Sequence, residues 1–264
     1  MLLRPAGPPG ARAAAPEGGG PDPEPFSVYL LRRRPSMAFA PGAYVFPGGS
    51  VDPRDADAEV AWAGPDVAAW AVMLDAPADL ARALVCAAVR ETFEECGVLL
   101  AGPTPADVVA DIRGDDWEAD RRALTDRSLS LAGMLARREL VLRSDLLKPW
   151  ARWITPETES RRFDTRFFAA ALPAGQRTAD VPGDGEGEAD AAAWLSPSDA
   201  IAAARRKEIF LLPPTAVSLA ELSDHDSVAA VLSAPRELAP MLPTVSLVDG
   251  EPWLNIPQDV EYPL

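Results

Sequence analysis

The segment that most constrains this chain is Ala87-Ala88-Val89-Arg90-Glu91-Thr92-Phe93-Glu94-Glu95-Cys96-Gly97-Val98. Ala, Val, Arg and Glu favour a helix here, and Gly97 before the apolar run Val98-Leu99-Leu100 ends it. On that helix Glu91, Glu94 and Glu95 stand at i, i+3 and i+4, so three carboxylates share one face within about 5–6 Å of one another. Like charges at that spacing repel unless a cation sits among them. Hard divalent cations such as Mg²⁺ take oxygen ligands of this kind. Arg90, four residues before Glu94, can hold that carboxylate in place. A solvated acidic face is the plainer alternative.

Arg90-Glu91-Thr92-Phe93-Glu94-Glu95-Cys96-Gly97-Val98 resembles the second half of the Nudix box, R-E-U-x-E-E-x-G-U with U aliphatic; Thr92 alone departs from it. Upstream, Phe46-Pro47-Gly48-Gly49 resembles the strand-to-loop entry into the same box. Between Gly49 and Arg90 stand 40 residues, about 27 more than the family spacing. Counted back from Arg90, the box's earlier glutamate falls on Arg82, with Asp79 the nearest acid. An insertion there resembles the branch that includes the peroxisomal acyl-coenzyme A diphosphatases. Pro41 to Gly49, Arg162-Phe163-Asp164-Thr165-Arg166-Phe167-Phe168 and Leu212-Pro213-Pro214-Thr215 extend the likeness over roughly residues 26–222.

The resemblance implies an α/β/α Nudix sandwich with a mixed sheet and helical insertions. It implies a Mg²⁺-dependent hydrolase of nucleoside diphosphate derivatives, with Mn²⁺ able to substitute through the same oxygen preference. Glu91, Glu94 and Glu95 would ligate the metal, the Gly49 carbonyl would join them, and Arg90 would belong to the catalytic set. An additional carboxylate from a later loop is assigned to Glu188. The base that activates water is left between Glu91 and Glu188. The branch points to coenzyme A or acyl-coenzyme A, cleaved to 3′,5′-ADP and (acyl-)phosphopantetheine. Ala38 stands where the bacterial-type coenzyme A motif has arginine, so NADH, ADP-ribose and modified nucleoside triphosphates stay open as substrates. A nucleotide sensor that binds without hydrolysis is the reading from another class; it fits poorly with an intact glutamate set.

The chain of 264 residues is long enough to bury a sizeable core. Its net charge of −15 argues against nucleic acid or an anionic membrane as partner, and it also opposes steering of a phosphate substrate. A bound cation must then neutralise locally. The expected partner is a small nucleotide substrate, and a homodimer is compatible with the reading. Cys86 and Cys96 lie ten apart along one helix and cannot bridge, so both read as reduced core thiols. No apolar run approaches 18 residues, no signal peptide is visible, and the terminus Glu261-Tyr262-Pro263-Leu264 is no S-K-L address. A cytoplasmic location is the expectation.

Residues 1–25, rich in Pro, Gly and Ala, read as a disordered lead, and 26–264 as one domain. Phe26 to Leu31 reads as a strand ending in Arg32-Arg33-Arg34. Those arginines are either a solvated strand end or a phosphate grip, with Arg32 and Arg34 the candidates. Ala43 to Phe46 is a short strand feeding Gly48-Gly49, where glycines let backbone approach a ligand. Residues 50–78, within the box, read as loop and then short helix. Residues 103–142 read as a helical insertion over Pro105–Ile112, Asp116–Leu124 and Leu129–Leu140. Trp150 to Ile154 and Arg162 to Leu172 read as strands. Arg166 within them is an ion-pair partner or a substrate contact. Ala191 to Leu195 reads as a strand, 214–222 and 227–233 as helices, and Val245–Leu254 as a terminal hairpin or meander around Asp249-Gly250. His225 reads as a surface residue.

Overall fold

The computed structural model describes residues 1–6, 26–179, 187–248, 251–257 and 263. Expectations for 7–25, for the acidic residues Asp180, Asp184 and Glu186, and for the Asp249-Gly250 turn lie outside those residues. The chain divides into two compact units, the larger formed by Met1, 47–181 and 235–260, the other by 2–46, 182–234 and 261–264. Both mix strands and helices, with parallel and antiparallel pairings, as the α/β reading requires.

The larger unit is built on the helix Ala78–Cys96. Its apolar stripe, including Val85, Val89 and Phe93, is buried with Trp70, Leu74, Leu99, Leu100 and Leu142 in one core. Burial of a Leu or Phe side chain stabilises by roughly 1.5–3 kcal/mol, so this stripe fixes the helix in place. Gly97 ends it in the left-handed region at φ 63°, with its N–H returned to the Phe93 carbonyl. Any Cβ there would also lie 2.8 Å from that of Ala179.

Inside the box insertion the chain forms a one-turn 3₁₀ helix, Pro53–Ala56, a two-residue strand, Trp62–Ala63, and the helix Val67–Leu74. Asp66 caps that last helix through the Ala69 N–H. Trp70 is buried edge-on to Phe168, and its Nε1–H donates to Ser144 Oγ at 3.1 Å. Trp62–Ala63 pairs in parallel with Val141–Arg143, which pairs antiparallel with Ala101–Gly102. Lys148–Ile154 runs antiparallel to Asp164–Ala171 and parallel to Pro240–Met241.

Two expectations need correcting. Residues 105–112 form no helix: Gln176, buried, holds the chain open there by donating to the carbonyls of Leu99 and Val109 and accepting the Leu99 N–H. The helices of this insertion are Asp115–Thr125 and Leu131–Arg137, and the buried Asp120 pairs with both Arg137 and Arg138. Residues 2–5, assigned to a disordered lead, are a strand whose Leu2 and Leu3 are buried. An apolar pair of that kind orders as soon as a neighbouring strand edge receives it.

That edge belongs to Phe26–Arg33, the spine of the second unit. Val28 is paired with both Leu3 and Leu195, and Leu31 with both Val45 and Ala192. Strand Ala189–Leu195 therefore runs along one edge of the spine, while Leu2–Pro5 and Ala43–Val45 share the other. Phe210–Leu211 adds in parallel to Ala43–Val45. Helices Pro197–Arg205, Pro213–Ser223 and Val228–Ser233 complete the unit, the first capped by Ser196 and the third by Ser227. His225 lies between the last two helices, its N–H on the Leu222 carbonyl.

Candidate active site

The helix Ala78–Cys96 turns one side of its last two turns away from the core, and Arg90, Glu91, Glu94 and Glu95 stand there. Arg90 is buried, and all five of its N–H groups are used. Nε donates to Asp55 at 3.0 Å and Nη2 to Asp55 Oδ2 at 3.0 Å. Nη2 also donates to the Ser50 carbonyl at 2.9 Å. Nη1 reaches Glu91 Oε1 at 2.7 Å and Glu94 Oε1 at 3.0 Å. One guanidinium thus fixes three carboxylates and the backbone of the loop after Gly49. A guanidinium has five donors in a rigid fork, and no other side chain could gather this set.

Burial works against the charge on Arg90, but its hydrogen bonds to Asp55 and the charges of Glu91 and Asp55 outweigh that and raise its pKa. Burial pushes Glu91 up to about 6; Arg90 opposes the shift and Glu94 adds to it. Glu94 is also raised by burial, against the pull of Arg90.

Gly48 and Gly49 close over these carboxylates. The Gly48 N–H donates to Glu95 Oε2 at 2.7 Å, from a backbone φ of 151°. A Cβ on Gly49 would lie 2.5 Å from Glu91 Oε1 and 2.7 Å from its Cδ, so only glycine leaves the Glu91 carboxylate where it is. Arg121 supports the helix by donating to the Glu94 carbonyl at 2.7 Å while paired with Glu118. Thr92, the departure from the apolar motif position, satisfies its hydroxyl on the Ala88 carbonyl at 2.7 Å.

The donor set fits a hard divalent cation in type and in charge. Asp55, Glu91 and Glu94 face a single guanidinium, which leaves negative charge uncompensated. Arg90 takes only Oε1 of each glutamate. Among the described residues, no group of three or more His, Cys, Asp or Glu side chains forms a preassembled metal cluster. The carboxylates are instead held by Arg90.

Asp55 is the residue that sequence reasoning missed. Counting back from Arg90 leads to Arg82, whose guanidinium lies over the Trp62 ring, 5.4 Å from its centroid. Counting forward from Gly49 leads six residues on to Asp55, at the start of the insertion. That count was the available signal.

The remaining candidates are placed as follows. Arg166 has a 4% exposed side chain paired with Asp164, which also pairs with Arg152; this is the ion-pair network that was one of its two readings. In the second unit, Arg32 Nε donates to Asp190 at 2.7 Å, and Arg34 Nε to the Gly187 carbonyl at 2.9 Å. Glu188 is 65% exposed, 3.6 Å from Arg33, and its carbonyl accepts the Arg34 N–H. Cys86 and Cys96 are free and buried. No helix among the described residues is long and apolar enough to cross a membrane.

A family model described as the NUDT19 Nudix domain matches residues 66–222. The chain is 29% identical over 268 residues to the acyl-coenzyme A diphosphatase NUDT19 of Gallus gallus, a match covering 86% of this chain and 68% of that protein. The human protein of the same name is 29% identical over 257 residues, with 82% and 65% covered. The chain thus spans about two thirds of the length of these curated relatives. Among solved structures, a NUDIX hydrolase from Alicyclobacillus acidocaldarius superposes with a TM-score of 0.66 at 26% identity, covering 91% of this chain and 96% of that one.

Proposed function

Because this chain belongs to the NUDT19 Nudix domain family, we propose that it hydrolyses the diphosphate bridge of coenzyme A or acyl-coenzyme A. The products are 3′,5′-ADP and (acyl-)phosphopantetheine. The observation that carries this reading is the buried Arg90 with its carboxylates, in a chain similar over most of its length to acyl-coenzyme A diphosphatases.

Hydrolysis adds the oxygen of water to one phosphorus and breaks its bond to the bridging oxygen, which leaves on the other phosphate. Both phosphates are anionic, so the step needs charge neutralisation and a positioned water. Mg²⁺, with Mn²⁺ able to substitute, supplies that neutralisation when bound and lowers the pKa of a water. Glu91, Glu94 and Glu95 are the residues to hold it, with the Gly49 carbonyl beside them. Arg90 keeps Glu91 and Glu94 oriented and limits their repulsion. The water's proton passes to a carboxylate, Glu91 or Glu188. Gly48 and Gly49 give the diphosphate room to approach the backbone, and Arg32 and Arg34 are the phosphate contacts. Arg166, committed to Asp164, serves the fold. Residues 26–264 act together as one Nudix domain in the cytoplasm, with a homodimer as the assembly to test.

The test is mass-detected turnover at pH 8 with Mg²⁺ on coenzyme A, an acyl-coenzyme A, NADH, ADP-ribose and a nucleoside triphosphate. Release of 3′,5′-ADP from the two coenzyme A substrates, with little from the others, is expected. Turnover confined to NADH or ADP-ribose would reassign the substrate. Binding with no turnover of any of them would make the chain a sensor.

A further inference from the structure

A second guanidinium of the larger unit, that of Arg127, is brought to the carboxylates by two side-chain anchors. Arg121, in the helix Asp115–Thr125, donates to the Glu94 carbonyl at 2.7 Å and fixes that helix to the glutamate helix. Past the helix end, Arg54 Nη1 donates to the carbonyls of Arg127 at 2.9 Å and Leu129 at 3.4 Å. Arg54 is itself held by both oxygens of Asp52, and its neighbour Asp55 is the buried partner of Arg90. The turn that carries Arg127 is thus tied on both sides to the framework that orients Glu91 and Glu94.

Arg127 is exposed, and its guanidinium makes no ion pair or hydrogen bond among the described residues. Its charge nevertheless reaches the site: burial raises the Glu94 pKa, and Arg127 opposes that rise together with Arg90. Arg90 is buried and spends its N–H groups on the protein, which leaves none for a ligand. Arg127 keeps all five of its donors. Its backbone sits at φ 64°, with its N–H on the Leu124 carbonyl. That left-handed conformation costs any residue with a Cβ and suits glycine, so a long side chain kept there calls for a use. In a chain of net charge −15, a free cation beside the carboxylates offsets the repulsion that an approaching phosphate meets.

We propose that Arg127 is a substrate contact, its guanidinium binding a phosphate oxygen of the diphosphate at Glu91, Glu94 and Glu95. The planar fork of a guanidinium matches phosphate oxygens, and its bonds to them are strengthened by charge. As the bond to the bridging oxygen breaks, negative charge collects on the leaving phosphate, and Arg127 stabilises it there. The proposal rests on the hydrolase reading of the carboxylates, and not on which nucleotide carries the diphosphate.

Arg127→Gly in the full chain separates this role from a structural one. It keeps the carbonyl that Arg54 holds and removes a Cβ from left-handed backbone, so the thermal midpoint should hold or rise. With Mg²⁺, kcat/KM for coenzyme A should fall by at least about tenfold. Calorimetry with Mn²⁺ present should show α,β-methylene-ADP, whose carbon bridge resists hydrolysis, bound about tenfold more weakly. Mn²⁺ alone should bind as tightly as to the parent or more so, since a positive charge beside Glu94 is gone. Arg127→Lys, with the charge but not the fork, should recover part of both losses. Unchanged kcat/KM and analogue affinity in Arg127→Gly overturn the proposal and leave the hydrolase reading with the parent's turnover. A loss of rate that vanishes as Mg²⁺ is raised also overturns it, because Arg127 then acts on the metal alone. A midpoint that falls along with activity does the same, the side chain then being structural. If the parent hydrolyses no diphosphate but Arg127→Gly still loses analogue affinity, the contact stands and the hydrolase reading falls.

Discussion

Asp55 and Arg90, 35 positions apart, form a buried ion pair in which both carboxylate oxygens meet the guanidinium. The pair ties the start of the box insertion to the helix that carries the glutamates. Asp55 is only 2% exposed, so its charge is tolerated because Arg90 is there. Asp55→Ala should cost about 3 kcal/mol in urea unfolding, the usual penalty for breaking a buried pair from one side. Asp55→Glu, which keeps the charge, should recover part of it and part of the turnover. An Asp55→Ala protein as stable as its parent would mean that Glu91 and Glu94 alone satisfy Arg90.

Gly49 and Glu91 give a prediction in which activity and stability separate. A methyl at Gly49 would sit 2.5–2.7 Å from the Glu91 carboxylate. The carboxylate is the end of a flexible side chain, so it moves and the backbone does not have to. Displacement of a reacting group by about 1 Å can cost roughly 100-fold in rate. Gly49→Ala should therefore lose about that much turnover while its thermal midpoint stays close to the parent's. A large loss of midpoint would show that the backbone yields first.

Gly97→Ala should behave in the opposite way. It places a Cβ at φ 63° and 2.8 Å from the Ala179 Cβ, and Ala179 is itself tied to the Cys96 carbonyl at 2.7 Å. Left-handed backbone costs a residue with a Cβ about 1–2 kcal/mol before any clash. A drop of about 2 kcal/mol or more in unfolding free energy is expected, with substrate specificity unaltered.

The two thiols should be silent in the native protein. Burial, with the negative charge of Asp55 adding to it, pushes the Cys86 thiol up to about 12, and burial raises that of Cys96 well above the ordinary range. Thiolate is the reactive form, so a disulfide reagent at pH 8 should titrate neither until denaturant is added, and then both. Rapid native reaction of one equivalent would mean that the helix opens locally.

The glutamate helix was legible because three signals coincide there: an apolar stripe at helical spacing, a glycine stop, and carboxylates at i, i+3 and i+4. Its partner Asp55 was not. Arg90 chooses among several nearby acids by position in space, and the insertion between them erases the local spacing. Residues 2–5 were illegible for a similar reason, since the strand Leu2–Pro5 exists through its pairing with Phe26–Arg33. Residues 105–112 carry a helical pattern that the hydrogen bond from Gln176 to the Val109 carbonyl overrides. That Arg32, Tyr44 and Leu211 stand side by side depends on strands joined only by the fold.

Glu95 allows the chemical role of a carboxylate to be separated from its structural one. It accepts the Gly48 N–H at 2.7 Å, and that bond fixes the glycine loop over the helix. Glu95→Gln keeps an oxygen acceptor of the same length, so the loop contact survives and stability should change by less than about 0.5 kcal/mol. The negative charge that a divalent cation would require is lost. Turnover should fall by at least about 100-fold, a loss that excess Mg²⁺ or Mn²⁺ restores only in part. Glu95→Ala removes both functions and should add a measurable loss of stability to the same loss of rate. If Glu95→Gln turned over like the parent while Glu95→Ala did not, Glu95 would be a support for Gly48 alone, and the metal would have to rest on Glu91 and Glu94.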